Sequence, residues 1–256
     1  MSGLVIDAAP VVLFALVLVR VTALVFFTPL FGPSGGISRI KVGAALALSV
    51  VMTPPLIGHG PVPASGGALV LLAGKEAALG FLLAFVVSLF LSVARGAGEL
   101  VSLEMGLGIA VTADPDRGSQ SPLLGASFEI IAILLLFAID GHHLVLRALK
   151  LGFDAYPPGS LDMPGGAVAF VTKLFFVVSR SAITLAAPIL LVLLATTIGL
   201  GIVMKAVPRV HILDFGFPIR VLVAVLLVVL FLPFVGPALV RLFEVVVSGV
   251  AGALGG

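Results

Sequence analysis

Apolar residues occupy six long segments of this chain, and short stretches rich in glycine, proline and charge separate them. A membrane-spanning helix needs about 20 apolar residues, so most of these segments predict such helices. The second segment is short for a span, and the fifth exceeds a bilayer unless it is kinked or projects beyond it. The pattern predicts an all-α integral membrane protein with about six long, partly kinked apolar helices. The segments are residues 11–28, 42–53, 69–94, 123–139, 167–204 and 219–234.

Composition supports a membrane protein and excludes several other classes. Of the 256 residues, 61% are hydrophobic and 10% are charged, and the mean hydropathy is +1.33. Too few polar residues remain to cover a soluble globule of this size. The 14 basic and 12 acidic residues are spread thinly, so a nucleic-acid partner is not expected. The sequence contains no cysteine, which excludes disulfides and thiolate metal sites.

Charged side chains inside the apolar segments are the strongest exceptions to the pattern. Each would cost a few kcal/mol if it faced lipid, so each is expected to face protein or water. Snorkelling from a helix end suits Lys173 and Lys75, whereas Arg20 and Arg180 lie too far inside their segments. An ion site of a transporter is a second explanation, and pairing with charges of neighbouring subunits is a third. The residues are Arg20, Lys75, Glu76, Glu129, Lys173 and Arg180.

A polar, glycine-rich stretch at residues 98–122 interrupts the apolar sequence between the third and fourth segments. Its sequence, GELVSLEMGLGIAVTADPDRGSQSP, is poorly suited to face lipid. An ordinary loop between membrane helices is the simplest interpretation. The apolar residues inside it favour a second one, because a flexible backbone that carries apolar side chains can enter a hole and seal it. Those residues are Met105, Leu107, Ile109, Ala110 and Val111, interleaved with Gly106 and Gly108.

Other candidate chemistry is sparse. His142 and His143 are adjacent, so on a helix they would point about 100° apart, and a structural role is expected rather than a shared metal. Asp114 and Asp116 flank Pro115, a pattern typical of a solvated turn. Arg39 and Lys41 indicate a basic connection between the first two segments. No nucleophile has a credible partner, so the sequence predicts no catalytic residue, metal or cofactor, and a protein that is not an enzyme.

Three stretches resemble, in the same order, those of the FliR family of flagellar type III export-gate proteins. They are EMGLGIAVTADP at 104–115, IAILLLFAIDGHHLVLRALKLGFDAYPPG at 131–159 and SRSAITLAAPILLVLLATTIGLGIVMKAVPRVHILDFGFPI at 179–219. The N-terminal Arg20, Pro29 and Ile40-Lys41 fit as well, so the resemblance covers nearly the whole chain. The positions that carry the signature are Gly141, His142, His143, Pro188, Pro208, Gly216, Phe217 and Pro218.

The resemblance implies a fold and an assembly. Proteins of this family resemble a fusion of the FliP and FliQ types, within a helical hetero-oligomeric ring. Residues 1–165 would then be the FliP-like part and 166–256 the FliQ-like helical hairpin. The family's plug loop would fall on 106–122, and the buried charges would pack against neighbouring subunits. The implied plug residues are Gly106, Leu107, Gly108, Ile109, Ala110, Val111, Asp114, Pro115, Asp116 and Arg117, and the implied packing charges are Arg20, Lys75, Glu76, Glu129 and Arg180.

The resemblance also implies a function, which is to form part of the wall and closure of a channel for unfolded flagellar proteins. The implied partners are FliP-like and FliQ-like membrane subunits, FlhB-like and FlhA-like export components, exported proteins and lipid. The implied location is the bacterial inner membrane at the flagellar basal body. Two alternatives remain open from the residues. One is the homologous injectisome subunit SctT, and the other is a secondary transporter, favoured by Pro188 and the charges within apolar segments.

Overall fold

The computed structural model describes residues 9–32, 39–57, 66–106, 123–162, 165–206 and 212–254. This part of the chain is built from α-helices and two short 3₁₀ turns, at Pro29–Phe31 and Pro54–Leu56, and it contains no strand. The prediction of an all-α membrane protein is confirmed. The helices are α1 (Ala9–Phe27), α2 (Arg39–Met52), α3 (Gly66–Glu104), α4 (Leu123–Ala138), α5 (Gly141–Ala155), α6 (Ala167–Ala206) and α7 (Ile212–Leu254).

The six apolar segments do not correspond to six membrane spans. Within the described residues, three helices are long and apolar enough to cross a membrane, namely α1, α3 and α6. The count rises to five if α4 with α5, and the two arms of α7, each form one bent span. Helix α2 has 14 residues, fewer than the roughly 20 that a span requires. The chain is therefore a multi-pass membrane protein with three to five candidate spans among its described residues.

Proline shapes the two C-terminal helices in different ways. Helix α6 continues through Pro188. In α7, the arms Gly216–Phe231 and Pro233–Phe243 meet at an angle of 58°. Proline removes a backbone hydrogen bond and its ring displaces the preceding turn, so a bend at Pro233 has a direct cause. The predicted partial kinking of the long helices therefore occurs in α7.

The chain forms two compact units, and α3 contributes its first half to one and its second half to the other. Unit 1 comprises residues 1–88, 142–172 and 246–256. In its core, α1 packs between α2, the first half of α3 and α5. The buried side chains at this centre are Val17, Val21, Leu24, Val25, Ala45, Ala84, Val87, Val145, Leu149 and Phe153.

Unit 2 comprises residues 89–141 and 173–245. Its core joins the second half of α3 to α4, α6 and α7. The Phe90 and Phe243 rings meet edge to face with centroids 5.0 Å apart, and both side chains are buried. Such aromatic pairs add to the stability gained from burial alone. The division at residue 165 into a FliP-like and a FliQ-like part rests on resemblance, and it stays a prediction.

The polar stretch at 98–122 begins later than the sequence indicates. Helix α3 continues through Gly98 to Glu104, so the interpretation of residues 98–104 as part of the interruption is wrong. The charge of Glu99 is met by Arg95 one helical turn earlier, with 2.9 Å between Arg95 Nε and Glu99 Oε1. Pairs at this spacing stabilise a helix. Helix α3 therefore includes the first seven residues of this stretch.

The basic connection expected at Arg39 and Lys41 is instead the start of α2. Lys41 is buried, and its Nζ lies 3.5 Å from the carbonyl oxygen of Phe26 in α1. Burial of a lysine requires polar partners, because its charge is costly away from water. The first turn of α2 is thus tied to the end of α1 by a cation that the sequence pattern assigned to a connection.

Candidate functional site

Three of the charged residues that break the apolar pattern lie together in unit 1. Arg20 is 2% exposed, Lys75 6% and Glu76 0%. Arg20 Nε lies 2.5 Å from Glu76 Oε2, and Lys75 Nζ lies 3.0 Å from Glu76 Oε1. One carboxylate therefore serves two buried cations. We call Arg20, Lys75 and Glu76 the buried triad.

Backbone carbonyls give the two cations of the triad further partners. Arg20 Nη2 donates to the carbonyl oxygen of Tyr156 at 2.8 Å. Lys75 Nζ donates to the carbonyl oxygens of Pro157 at 3.1 Å and Ser160 at 2.8 Å. Because two cations face one anion, these carbonyl dipoles offset the remaining positive charge. The triad thus ties α1 and α3 to the turn that follows α5, and the snorkelling explanation for Lys75 is wrong.

An aromatic ring covers the arginine of the triad. The guanidinium carbon of Arg20 lies 4.2 Å from the ring centroid of Phe153 in α5. A cation over a ring face is attracted by the ring's negative quadrupole, most strongly where water is excluded. Phe153 is itself fully buried. Helix α5 therefore contributes to the triad with a side chain as well as through the carbonyls that follow it.

A glycine allows α1 and α3 to approach closely beside the triad. A β-carbon built on Gly80 would lie 2.2 Å from the carbonyl oxygen of Arg20 and 2.9 Å from the Ala23 side chain. No side chain fits in that space without moving one of the helices. Close backbone approach at small residues is the usual way in which membrane helices pack. Gly80 therefore sets the helix separation at which Glu76 reaches Arg20.

A second charged cluster lies in unit 2 and joins α3 to α4. Besides its pair with Glu99, Arg95 places Nη1 3.3 Å from Glu129 Oε2. These side chains are partly exposed. The two helices touch here, since a β-carbon on Gly98 would lie 2.6 Å from the Leu124 carbonyl oxygen. A β-carbon on Gly125 would likewise lie 2.7 Å from Glu99 Cγ.

The described residues on either side of the candidate plug loop pack against other parts of unit 2. Gly106 follows the last turn of α3 with φ of +83°, a conformation that glycine adopts at little cost. Met105 beside it is buried. The start of α4 packs on α3 at Gly98, about two helical turns before Gly106, through its contact with Leu124. The other predicted plug residues, Leu107, Gly108, Ile109, Ala110, Val111, Asp114, Pro115, Asp116 and Arg117, lie outside the described residues.

Two of the predicted signature elements lie at the start of α5, where each is in close contact with other groups. In unit 2, a β-carbon on Gly141 would lie 2.8 Å from Leu136 Cγ and 2.9 Å from its carbonyl oxygen, so only glycine fits. In unit 1, the ring centroids of His142 and His143 lie 4.1 Å apart at an interplanar angle of 36°. The expectation that these rings point apart is wrong.

The remaining signature positions lie in the C-terminal helices. Pro188 lies inside α6. In α7, Gly216 is buried, whereas Phe217 and Pro218 are exposed. Pro208 falls outside the described residues.

Arg180 differs from the buried triad because it lies exposed on α6. Lys173, two helical turns earlier on the same helix, is also exposed. Arg180 lines a cleft of unit 2 together with residues of α3 and α7. The five predicted packing charges thus fall into three places, which are the buried triad, the cluster at Glu129 and the cleft at Arg180.

The apolar helices, buried charges and glycine crossings together define a multi-pass α-helical membrane protein. A family model described as "Bacterial export proteins, family 1" matches residues 11–246. The chain belongs to this family of bacterial export proteins, and its predicted resemblance to FliR proteins is confirmed.

Several relatives are similar along most of their length. Flagellar biosynthetic protein FliR of Escherichia coli (strain K12) is 27% identical over 227 residues, which cover 89% of this chain and 87% of the relative. FliR of Bacillus subtilis (strain 168) is 28% identical over 229 residues, with 88% and 87% covered. Yop proteins translocation protein T of Yersinia pestis is 25% identical over 227 residues, with 87% and 86% covered.

Proposed function

We propose that this chain is a subunit of the flagellar type III protein export gate, where it forms part of the wall and closure of the channel for unfolded flagellar proteins. The observation that carries the proposal is the match to a bacterial export family along residues 11–246. The similarity to FliR of E. coli and B. subtilis extends over most of each chain. The whole molecule is therefore alike, including the segments on either side of the plug loop.

The proposed setting is the bacterial inner membrane at the flagellar basal body. The proposed partners are FliP-like and FliQ-like membrane subunits, together with FlhB-like and FlhA-like export components. The exposed apolar faces of α6 and α7 support such an assembly, because they need lipid or neighbouring helices to cover them. The large exposed side chains include Phe176, Ile183 and Leu191 on α6, and Leu222, Val229 and Phe234 on α7.

Residues 106–122 are proposed to close the channel at rest. Apolar side chains on a glycine-rich backbone can narrow a pore and exclude water from it. The base of this loop is well placed to hold it, since the end of α3 and the start of α4 are in contact at Gly98. A loop with fixed ends can move between closed and open positions without unfolding the helices that carry it.

Deleting residues 108–117 is expected to make the assembled gate leak ions. The deletion removes most of the apolar side chains that would exclude water from the pore. The measurement is the single-channel conductance of the purified complex in planar bilayers, with and without the deletion. Replacing Asp114 and Asp116 with asparagine is the matched control, because it keeps the apolar residues and should leave the bilayer tight. An intact complex that conducts equally with and without the deletion would contradict the proposed closure.

The homologous injectisome subunit is a second candidate, favoured by the 25% identity to Yop proteins translocation protein T over 87% of this chain. Deleting the gene in its host separates the two. A flagellar gate subunit predicts loss of swimming and of flagellar proteins from the medium, both restored by a plasmid copy. An injectisome subunit predicts normal swimming and loss of other secreted proteins.

A further inference from the structure

A cleft of unit 2 contains a cation, Arg180, for which the described residues supply no counter-ion. The cleft has a volume of about 450 Å³ and lies between α3, α6 and α7. Arg180 contributes the charge, and Ser181 and Thr184 contribute hydroxyls. The Thr184 hydroxyl is already used, because it donates to the carbonyl oxygen of Arg180 at 2.9 Å. The rest of the lining is apolar, including Val93, Val177 and Leu239.

No acidic side chain among those that the structure describes pairs with the Arg180 guanidinium. Two other arginines differ, since Arg20 faces Glu76 and Arg95 faces Glu99 and Glu129. An arginine on a membrane helix is costly without an anion or water beside it. The cleft at Arg180 is therefore incomplete within this part of the chain.

The bilayer can surround Arg180 or begin after it, because α6 is longer than a membrane span. A protein partner is needed in both cases. The helix has 40 residues, which is about 60 Å or twice the hydrocarbon thickness. If the bilayer surrounds Arg180, the guanidinium needs an anion within the membrane. If the bilayer begins after Arg180, then Phe175 and Phe176, which are 58% and 74% exposed, lie outside the lipid and need an apolar cover.

We propose that the cleft receives a carboxylate carried on an apolar helix of a neighbouring membrane subunit, with Arg180 as its counter-ion. An arginine and a carboxylate form two parallel hydrogen bonds, which fixes the register of the two helices. A lipid phosphate would satisfy Arg180 at the membrane surface but would leave Phe175 and Phe176 uncovered. The inference rests on the proposed function, because the neighbour is a membrane subunit of the same gate.

A photo-cross-linking amino acid at Thr184 tests the contact in the complete complex, expressed with the membrane subunits encoded beside this chain. The probe is expected to link to one of those subunits, at a peptide that has Asp or Glu within about one helical turn. A probe at Ala195, exposed on the same helix, is the control position. Exchanging the identified acidic residue for arginine together with Arg180→Glu should restore the assembly that either change alone disrupts.

Charge variants supply the second measurement. Arg180→Glu and Arg180→Gln should each lower the amount of co-purified neighbour by roughly tenfold or more, since truncation leaves a carboxylate unpaired. Arg180→Lys should retain most of it, and Lys173→Glu should resemble the wild type. Equal amounts of each variant in the membrane, as a folded monomeric band, show that the chain itself is intact.

The outcomes separate this inference from the proposed function. If the wild-type complex assembles but the Thr184 probe labels phospholipid alone, the cleft is a lipid site and the inference is overturned. Full co-purification with Arg180→Glu would overturn it as well, and both results leave the export-gate proposal standing. Failure of the wild-type chain to join the neighbouring subunits overturns the proposed function and the inference with it.

Discussion

Replacing Glu76 with glutamine is expected to destabilise the protein by roughly 3–5 kcal/mol, because it leaves two buried cations without their anion. Glu76 is the carboxylate shared by Arg20 and Lys75, and it is completely buried. The backbone carbonyls that remain cannot offset both charges. The measurement is a denaturant titration of the purified chain in mild detergent, which gives the free energy of unfolding.

Two further variants test whether the loss of stability in Glu76→Gln arises from the unpaired charges of the triad. Glu104→Gln removes a carboxylate from the partly exposed end of the same helix and should change stability by less than about 0.5 kcal/mol. An apolar triple variant, Arg20→Met with Lys75→Met and Glu76→Leu, should recover most of the loss, since replacing all members of a buried charge group is often neutral. A triple variant as unstable as Glu76→Gln would show that unpaired charge is not the cause.

Replacing Gly80 with alanine is expected to destabilise the protein by about 1–3 kcal/mol through overpacking. The added methyl group would lie 2.2 Å from the backbone oxygen of Arg20, and a backbone atom in the middle of α1 cannot turn aside as a flexible side chain can. In an ordinary helix the same change is favourable by about 1 kcal/mol. A loss of stability in the same titration would therefore show that α1 and α3 are in close contact at Gly80, whereas a gain would show that they are not.

Gly74 is the control position for the Gly80→Ala substitution. It lies on the same helix, and a β-carbon there meets nothing within 4 Å. Gly74→Ala should be neutral or stabilising by up to about 1 kcal/mol. If Gly80→Ala behaves in the same way, the close approach of α1 and α3 is not the contact that positions Glu76 for Arg20.

Much of the fold is predictable from hydrophobic pattern alone. The apolar segments lead to the helical membrane class and to most of the helices, including the long α6 with Pro188 inside it. Pattern also singles out Arg20, Lys75 and Glu76 as charges that require partners. It cannot pair them, because Arg20 and Glu76 are 56 positions apart and belong to different helices.

Other features are missed because local sequence carries no signal for them. At Gly80 and Gly98 two helices approach so closely that no side chain would fit between them. The chain has 30 glycines, and the local sequence at these two resembles that at exposed positions such as Gly74. The carbonyls of Tyr156, Pro157 and Ser160 bind two cations, and a backbone group is invisible to residue patterns. Helix α3 continues beyond its apolar segment, and Arg95 pairs with Glu99 in these additional turns.

The triad also changes how the charges in the apolar segments are interpreted. Together with Pro188 they favoured a secondary transporter with an ion site. Arg20, Lys75 and Glu76 instead pair with one another and with three backbone carbonyls, and they hold α1, α3 and the turn after α5 together. Of the described charges in that set, Arg180 is the one that points to a partner outside the chain.

The central claim is that this chain works as one subunit of a hetero-oligomeric export gate. The most direct test is the native mass of the complex that a tagged copy draws from gentle detergent, after expression with its neighbouring genes. The account predicts one copy of this chain bound to several copies of two smaller membrane proteins. A lone monomer or a homodimer, with those proteins present in the same membranes, would contradict it.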